Sequence, residues 1–341
     1  MGSKRILWID YLKAISMLLV VVYHTPERYD VLDEGVVFNL GVPIFFVLAG
    51  FLYNPAKHTG TGQYLLHRAR QLLIPYATFF VVFYALWLAV GRRMVGPEEE
   101  AIAWWTPLYE FATGQPTVVL GAFWYIACLF SMQVVYHVLQ RWIPGKWMIA
   151  ASVVLALSTY ALYIHPWNVG KAFIYMPLYA VGHTCREALA AIARQPARLR
   201  LATAVPLVAG IALLAWSATV TDRLLFRYAT VAGVLLVLPA WFAAAPWIAS
   251  RFGERKMVTH IAVYGITYLA LQNYLIGIIK LVLCRLCGPD VFTQQWWLKA
   301  VVALTVMLLI YPCSLFIARW MPWMLGKSRT ATPKEKSISL S

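Results

Sequence analysis

The stretch WIDYLKAISMLLVVVYHT, residues 8–25, is a long apolar run that carries Asp10, Lys13 and His24. Its length and apolarity predict a helix that crosses a membrane. An α-helix turns by about 100° per residue. Lys13 is 11 residues before His24, so the two residues point in directions that differ by only about 20° around the helix axis. By the same geometry, the direction of Asp10 differs from that of His24 by about 40°. The three side chains are therefore expected on one helix face, with Lys13 and His24 about 16 Å apart along the axis.

The composition of the whole chain supports this assignment. The chain has 341 residues, of which 61% are hydrophobic and 13% are charged. A bilayer core about 30 Å thick needs roughly 20 mostly apolar residues per helix, and continuous runs of this kind recur along the sequence. We therefore predict an all-α, polytopic membrane protein with about ten transmembrane helices.

Lysine and arginine residues predict the orientation of these spans. The predicted spans are residues 6–24, 36–53, 72–90, 118–138, 147–164, 171–185, 200–217, 224–243, 257–283 and 297–318. An even number of spans places both termini on one side, and the terminal segments and loops of that side carry 19 Lys and Arg, against 7 in the loops on the other. The positive-inside rule then puts both termini in the cytoplasm, in a multi-pass protein of the cell inner (cytoplasmic) membrane.

The formal net charge of +15 is explained chiefly by this topology. Basic loops attract anionic membrane lipids, so lipids are expected partners and nucleic acid is not. We predict a single transmembrane domain at residues 1–326. The polar, basic segment 327–341 is predicted to be a disordered cytoplasmic tail.

The charges in the first span have two interpretations. Asp10 and Lys13 can pair at positions i and i+3 near the helix end, while His24 is an ordinary interfacial residue. Alternatively, all three line a polar pathway or site, because ionisable residues inside spans usually face a polar interior. Their common face favours the second interpretation.

Three further segments accompany this helix. The second span reads GVPIFFVLAGFLY at 41–53, and a basic stretch, YLLHRARQLLIPY at 64–76, leads into the third. The fourth contains FWYIACL at 123–129. Together with the Asp-x-x-Lys pair and the later histidine, this ordered set resembles the acyltransferase 3 family of integral membrane O-acyltransferases. The fucose 4-O-acetylase-like branch is the most similar.

The resemblance implies an activity. Family members usually move acetyl from acetyl-CoA to a hydroxyl of an extracytoplasmic sugar or lipid-linked glycan. It implies Lys13 as the basic residue of the first helix and His24 as the catalytic histidine. It also links an Arg-x-x-Arg motif before the third span to the acyl donor. Arg68 fits the first position of that motif, Gln71 replaces the second, and Arg70 is the candidate substitute.

Other positions depart from the family pattern or carry weaker signals. Ala49-Gly50 stands where the phenylalanine-rich motif usually ends in Ser-Gly, and Gln272-Asn273 replaces a late histidine. We expect Gln272, Asn273 and Trp124 to contact substrate. An aromatic residue in a span is also commonly a packing residue, and positive-inside anchoring is the other interpretation of Arg68 and Arg70.

These residues predict a mechanism and leave one rival. Neutral imidazole, with a reference pKa of about 6.5, can accept the hydroxyl proton, so His24 is the expected base. His24 as a nucleophile remains open. Lys13 and Asp10 are expected to line the cytoplasmic mouth and meet the donor, and no metal is expected. The rival function is a proton-coupled transporter or flippase of a glycan or small acid, which uses the Asp10, Lys13 and His24 face as its path. The oligomeric state is left open.

Overall fold

The computed structural model is helical, as the composition predicts. It describes residues 6–26, 36–54, 56, 60–92, 101–194, 196–288, 290–294 and 297–327. These residues contain no strand, which confirms the all-α prediction. The predicted tail lies outside them apart from Lys327, so its disorder stays a prediction.

The described residues form thirteen α-helices. They are α1 (Leu7–His24), α2 (Phe38–Phe51), α3 (Thr61–Leu86), α4 (Thr106–Ala112), α5 (Trp124–Leu139), α6 (Met148–Ser158), α7 (Val169–Thr184), α8 (Arg186–Arg194), α9 (Pro196–Ser217), α10 (Arg223–Phe252), α11 (Lys256–Cys287), α12 (Val291–Gln294) and α13 (Leu298–Trp320). The start of α10 has a clear sequence cause. The carboxylate of Asp222 accepts hydrogen bonds from the backbone N–H groups of Leu224 and Leu225, at 3.0 and 2.7 Å.

Each predicted span coincides with a helix. Within the described ranges, six helical stretches are long and apolar enough to cross a membrane, and they contain α1, α3, α5, α10, α11 and α13. Shorter apolar helices coincide with α2, α6 and part of α9. The chain is therefore a helical membrane protein, while the count of ten spans and the orientation of the termini stay predictions.

Several predicted boundaries differ from the structure, most of all those of α3 and α10. Helix α3 begins at Thr61 instead of 72, and α10 continues to Phe252 instead of 243. Apolarity marks the part of a helix that suits lipid, whereas the intrahelical hydrogen bonds continue into polar sequence. Helix α6 is shorter than predicted, since it ends at Ser158 although the sequence stays apolar to Ile164.

Helix α1 lies inside the bundle and packs against α2, α10, α11 and α13. Its side chains Leu12, Met17 and Val21 are almost completely buried. The ring of Trp8 packs edge-on against Phe51 of α2 and Phe242 of α10, with centroid distances of 5.6 and 5.3 Å. The helix that carries the three ionisable residues is therefore fixed by neighbours on several sides.

Helices α2 and α7 cross with their backbones in contact. A Cβ atom built on Gly50 would overlap the carbonyl oxygen of Tyr179, and one built on Gly182 would overlap the carbonyl oxygen of Val47. Small residues allow such close approach, which is a main source of helix association in membranes. Gly50 is the glycine that ends the phenylalanine-rich motif, so this motif has a packing role.

Replacing Gly50 tests the crossing. We expect Gly50→Ala to lower the melting temperature clearly, because the new methyl group forces the two backbones apart, and overpacking of this kind costs about 1–3 kcal/mol. Thermal unfolding of the purified protein in detergent measures the effect.

The matched control is Gly277→Ala in α11, where a built Cβ meets no atom within 4 Å. Alanine is the better helix former, so this variant should melt at the wild-type temperature or slightly above it. Equal melting of Gly50→Ala and wild type would contradict the close crossing.

Candidate active site

A cavity of about 520 Å3 lies between the helices. Its wall combines residues of α1, α2, α5, α7, α10 and α11, with smaller parts from α3 and the segment before α5. The wall is mostly apolar and contains a few polar groups, and the volume is in the range of small-molecule sites. Among the residues that the structure describes, no carboxylate lines it, whereas Lys13, Lys171 and Arg227 do.

His24 lies on this wall at the last turn of α1. Its Nδ1 atom is 2.7 Å from the carbonyl oxygen of Val20. A carbonyl oxygen can only accept, so Nδ1 carries the proton and donates it. In the neutral ring the lone pair is therefore on Nε2, which gives the imidazole a defined basic atom.

Lys13 lines the same cavity from the same helix and is half-buried. The axial separation of about 16 Å from His24 means that the cavity follows α1 over about three turns. Two ligand atoms far apart in one molecule can thus meet Lys13 and His24, but one reacting atom cannot meet both.

Two more cations line the wall from the starts of α7 and α10. Helix α10 runs antiparallel to α1, because the Tyr11 hydroxyl near the start of α1 donates a hydrogen bond to the Gly253 carbonyl at the end of α10, so α10 begins at the end of the bundle where His24 lies.

The Lys171 Nζ atom lies over the Trp124 ring, 4.4 Å from its centroid, an arrangement worth about 0.5–2 kcal/mol. The Nη1 atom of Arg227 donates a hydrogen bond to the Tyr163 hydroxyl at 2.8 Å. Neither cation is ion-paired with a carboxylate in the described part of the chain. We call the part of the wall with His24, Trp124, Lys171 and Arg227 the His24 end of the cavity.

An unusual backbone turn holds Lys171 in place. Trp167 and Asn168, just before α7, have φ angles of 54° and 52°, which cost side-chain-bearing residues about 1–3 kcal/mol each. The Asn168 side chain is 2% exposed and donates a hydrogen bond to the Gly114 carbonyl. The backbone N–H of Trp167 donates a hydrogen bond to the Thr113 carbonyl at 2.6 Å, and the backbone carbonyl of Trp167 accepts one from the Ser131 hydroxyl at 2.9 Å. These contacts fix the start of α7 against α5 and the segment before it.

The cavity brings together three of the predicted site residues: Lys13, His24 and Trp124. Asp10 does not line it and is 5% exposed, with its side chain buried in the bundle. Gln272 is fully buried and Asn273 is exposed, and neither lines the cavity. Their proposed substrate contacts thus have no support from this geometry.

The two predicted donor arginines lie elsewhere. Arg68 is half-buried near the start of α3, over the Tyr64 ring at 5.3 Å, and its Nη1 donates to Gln71 Oε1 at 2.9 Å. Gln71, which replaces the second arginine of the family motif, is therefore a hydrogen-bond acceptor for the first. Arg70 is exposed and lines a separate shallow pocket with Gln63 and His67. Neither arginine lines the main cavity.

Lys171 and Arg227 were missed by the sequence analysis. Neither residue belongs to the predicted site, although the predicted span 224–243 contains Arg227. The charge of Arg227 inside an apolar segment was the available signal, because such charges usually mark a polar interior. No pattern in the sequence indicated that Lys171 meets Trp124.

A sequence model of the acyltransferase 3 family, described as an acyltransferase domain, matches residues 6–318. The match includes the motifs between residues 8 and 130 and extends over all thirteen helices except the last two residues of α13. Searches of the curated proteins and of the solved structures return no match. The family model covers most of the chain, and the helices suit a membrane, so the chain belongs to the acyltransferase 3 family and is a membrane acyltransferase.

Proposed function

We propose that the protein is an O-acetyltransferase of the cell inner membrane. It transfers acetyl from cytoplasmic acetyl-CoA to a hydroxyl of an extracytoplasmic polysaccharide or lipid-linked sugar, with His24 as general base. The observation that carries this proposal is His24 itself, because its Nδ1–Val20 hydrogen bond assigns the basic lone pair to Nε2 on the wall of a ligand-sized cavity. The similarity of the Lys13 motif to the fucose 4-O-acetylase-like branch supports a sugar acceptor.

The transfer needs one proton carrier. Nε2 of His24 removes the proton of the acceptor hydroxyl while the hydroxyl oxygen attacks the carbonyl carbon of the thioester. The bond from carbon to sulfur breaks, and the CoA thiolate takes the proton back from the imidazolium. The products are the acetyl ester and free CoA, and His24 is again neutral.

The remaining cations and Asp10 have roles that follow from position. Lys13 is too far from His24 to meet the reacting carbon when His24 holds the hydroxyl, so it meets the donor further along the cavity. Asp10 is one helical turn beyond Lys13, away from His24, and can act only through its neighbours at that end. Arg68 and Arg70 are on α3 at the end of the bundle opposite His24, where positive charge suits the phosphates of the donor.

The membrane orientation is part of the same proposal. Both termini, Arg68 and Arg70 face the cytoplasm, and the His24 end of the cavity faces outwards. Family membership favours acyl transfer over the transporter or flippase function. No contact in the described residues specifically supports a transport path.

Removing the imidazole tests the base. We expect His24→Ala to lower acetyl transfer roughly 100- to 10,000-fold, the usual contribution of a general base. The measurement uses purified protein in liposomes, radiolabelled acetyl-CoA, and a glycan and lipid extract of the native membrane as acceptor. Rates of the wild type and the variant are compared at the same protein amount.

The control for this experiment is His165→Ala. His165 is exposed at the same end of the bundle and lies outside the cavity wall. It should keep the wild-type rate. Wild-type transfer by His24→Ala would show that another group is the base.

Neutralising Arg68 tests the donor site. If its guanidinium binds a CoA phosphate, Arg68→Gln should raise the KM for acetyl-CoA about tenfold, because a hydrogen bond to a charged group is worth about 1.5–3 kcal/mol. The maximal rate should change much less. The control for loss of a basic charge is Arg251→Gln, because Arg251 is an exposed arginine at the end of α10. An unchanged KM in Arg68→Gln would reject the phosphate contact.

A further inference from the structure

The His24 end of the cavity has positive charge that the described chain does not neutralise. Lys171 contacts the Trp124 ring and Arg227 contacts Tyr163, and neither meets a carboxylate of the described residues. The two cations lie on either side of Tyr163, because its hydroxyl accepts a hydrogen bond from Arg227 and its ring packs on Gly170, the residue before Lys171. Two half-buried like charges at an apolar wall are unfavourable unless an anion joins them.

The surroundings hold both cations in place. The positive-φ turn and the Asn168 side chain fix the start of α7, which carries Lys171. The Tyr163 ring packs directly on Gly170, since a Cβ built there would lie 2.7 Å from its Cε2 atom. That packing positions the hydroxyl that Arg227 binds. The arrangement is therefore preorganised, and a guanidinium has further N–H donors for a ligand.

The donor does not explain these charges. In acetyl-CoA the pantetheine arm separates the phosphates from the thioester. When the thioester is beside His24, the phosphates lie far from it, toward the end of the bundle that carries Arg68. The acceptor is the reactant whose other groups lie near His24, because its hydroxyl must reach Nε2.

We propose that Lys171 and Arg227 bind a negatively charged group, a carboxylate or a phosphate, on the acceptor sugar. Trp124 acts as a positioning residue that holds the Lys171 ammonium. The assignment of the anionic group to the acceptor rests on the proposed function, whereas the anion site itself rests on the geometry. It makes the substrate class an acidic glycan, such as a uronate-containing or phosphate-bearing sugar.

Binding of soluble probes tests the site without acetyl-CoA. Purified protein in detergent is titrated by calorimetry with trigalacturonate, glucose 1-phosphate and neutral maltotriose. We expect at least one anionic probe to bind about tenfold tighter than maltotriose, as one charge-assisted hydrogen bond would give. The anionic probe that binds more tightly shows whether the site prefers a carboxylate or a phosphate. Binding should weaken as NaCl is raised, because salt screens the charges.

Variants locate the binding. Lys171→Gln and Arg227→Gln should each weaken binding of that anion about tenfold, and Lys171→Arg should retain most of it. The matched control is Arg223→Gln, which removes an exposed charge from the same end of α10 and should bind as the wild type does. Should the glutamine variants be unstable, the salt dependence of the wild type and the Lys171→Arg variant still test the site.

The inference would be overturned if maltotriose bound as tightly as both anions, or if anion binding were equal in wild type, Lys171→Gln and Arg227→Gln. Failure of both anions to bind would overturn it as well. Charge-dependent binding without any acetyl-CoA turnover would support the anion site and reject the acetyltransferase proposal, so the two failures are distinguishable.

Discussion

The contact of the α2 and α7 backbones at Gly50 and Gly182 is the constraint on which the cavity depends. The hydrophobic effect does not drive helices together in lipid, because lipid tails are as apolar as the side chains. Close packing of small residues therefore stabilises their association. Because the two backbones touch there, Phe46 of α2 stacks on Tyr175 of α7 at 5.2 Å. Tyr175 and Lys171 of α7 then share a cavity wall with side chains of α2.

Two groups of positive charges take part in the proposed reaction. Lys13, Lys171 and Arg227 line the cavity, and Arg68 and Arg70 lie apart from it near the start of α3. A charge inside a membrane protein is costly and has to be used or compensated. In our account, Lys13 meets the donor along the cavity, Lys171 and Arg227 meet the acceptor, and the second group meets the part of the donor that stays in the cytoplasm.

Much of the fold was predictable because apolar length is a strong local signal. The prediction of 6–24 for the first span agrees closely with α1 at Leu7–His24. The start of α3 was predicted 11 residues late, because the basic residues around Arg68 interrupt apolarity and leave the helical hydrogen bonds intact. Apolarity alone cannot show where such a helix begins.

The candidate site was predictable only in part. Helical periodicity placed Lys13 and His24 on one face, and both line the cavity. The same periodicity included Asp10, yet a difference of about 40° in direction is enough to turn a side chain into the bundle. The contact of Lys171 with Trp124 depends on the turn at Trp167 and Asn168 and on helices far apart in sequence, so no local pattern could indicate it.

An electron cryo-microscopy structure with a non-hydrolysable acetyl-CoA analogue tests the central claim most directly. The account predicts that the acyl end lies in the cavity between Lys13 and His24, close to Nε2, and that the CoA phosphates lie toward the Arg68 end of the bundle. An acyl group bound outside this cavity, or one that His24 cannot approach, would contradict it.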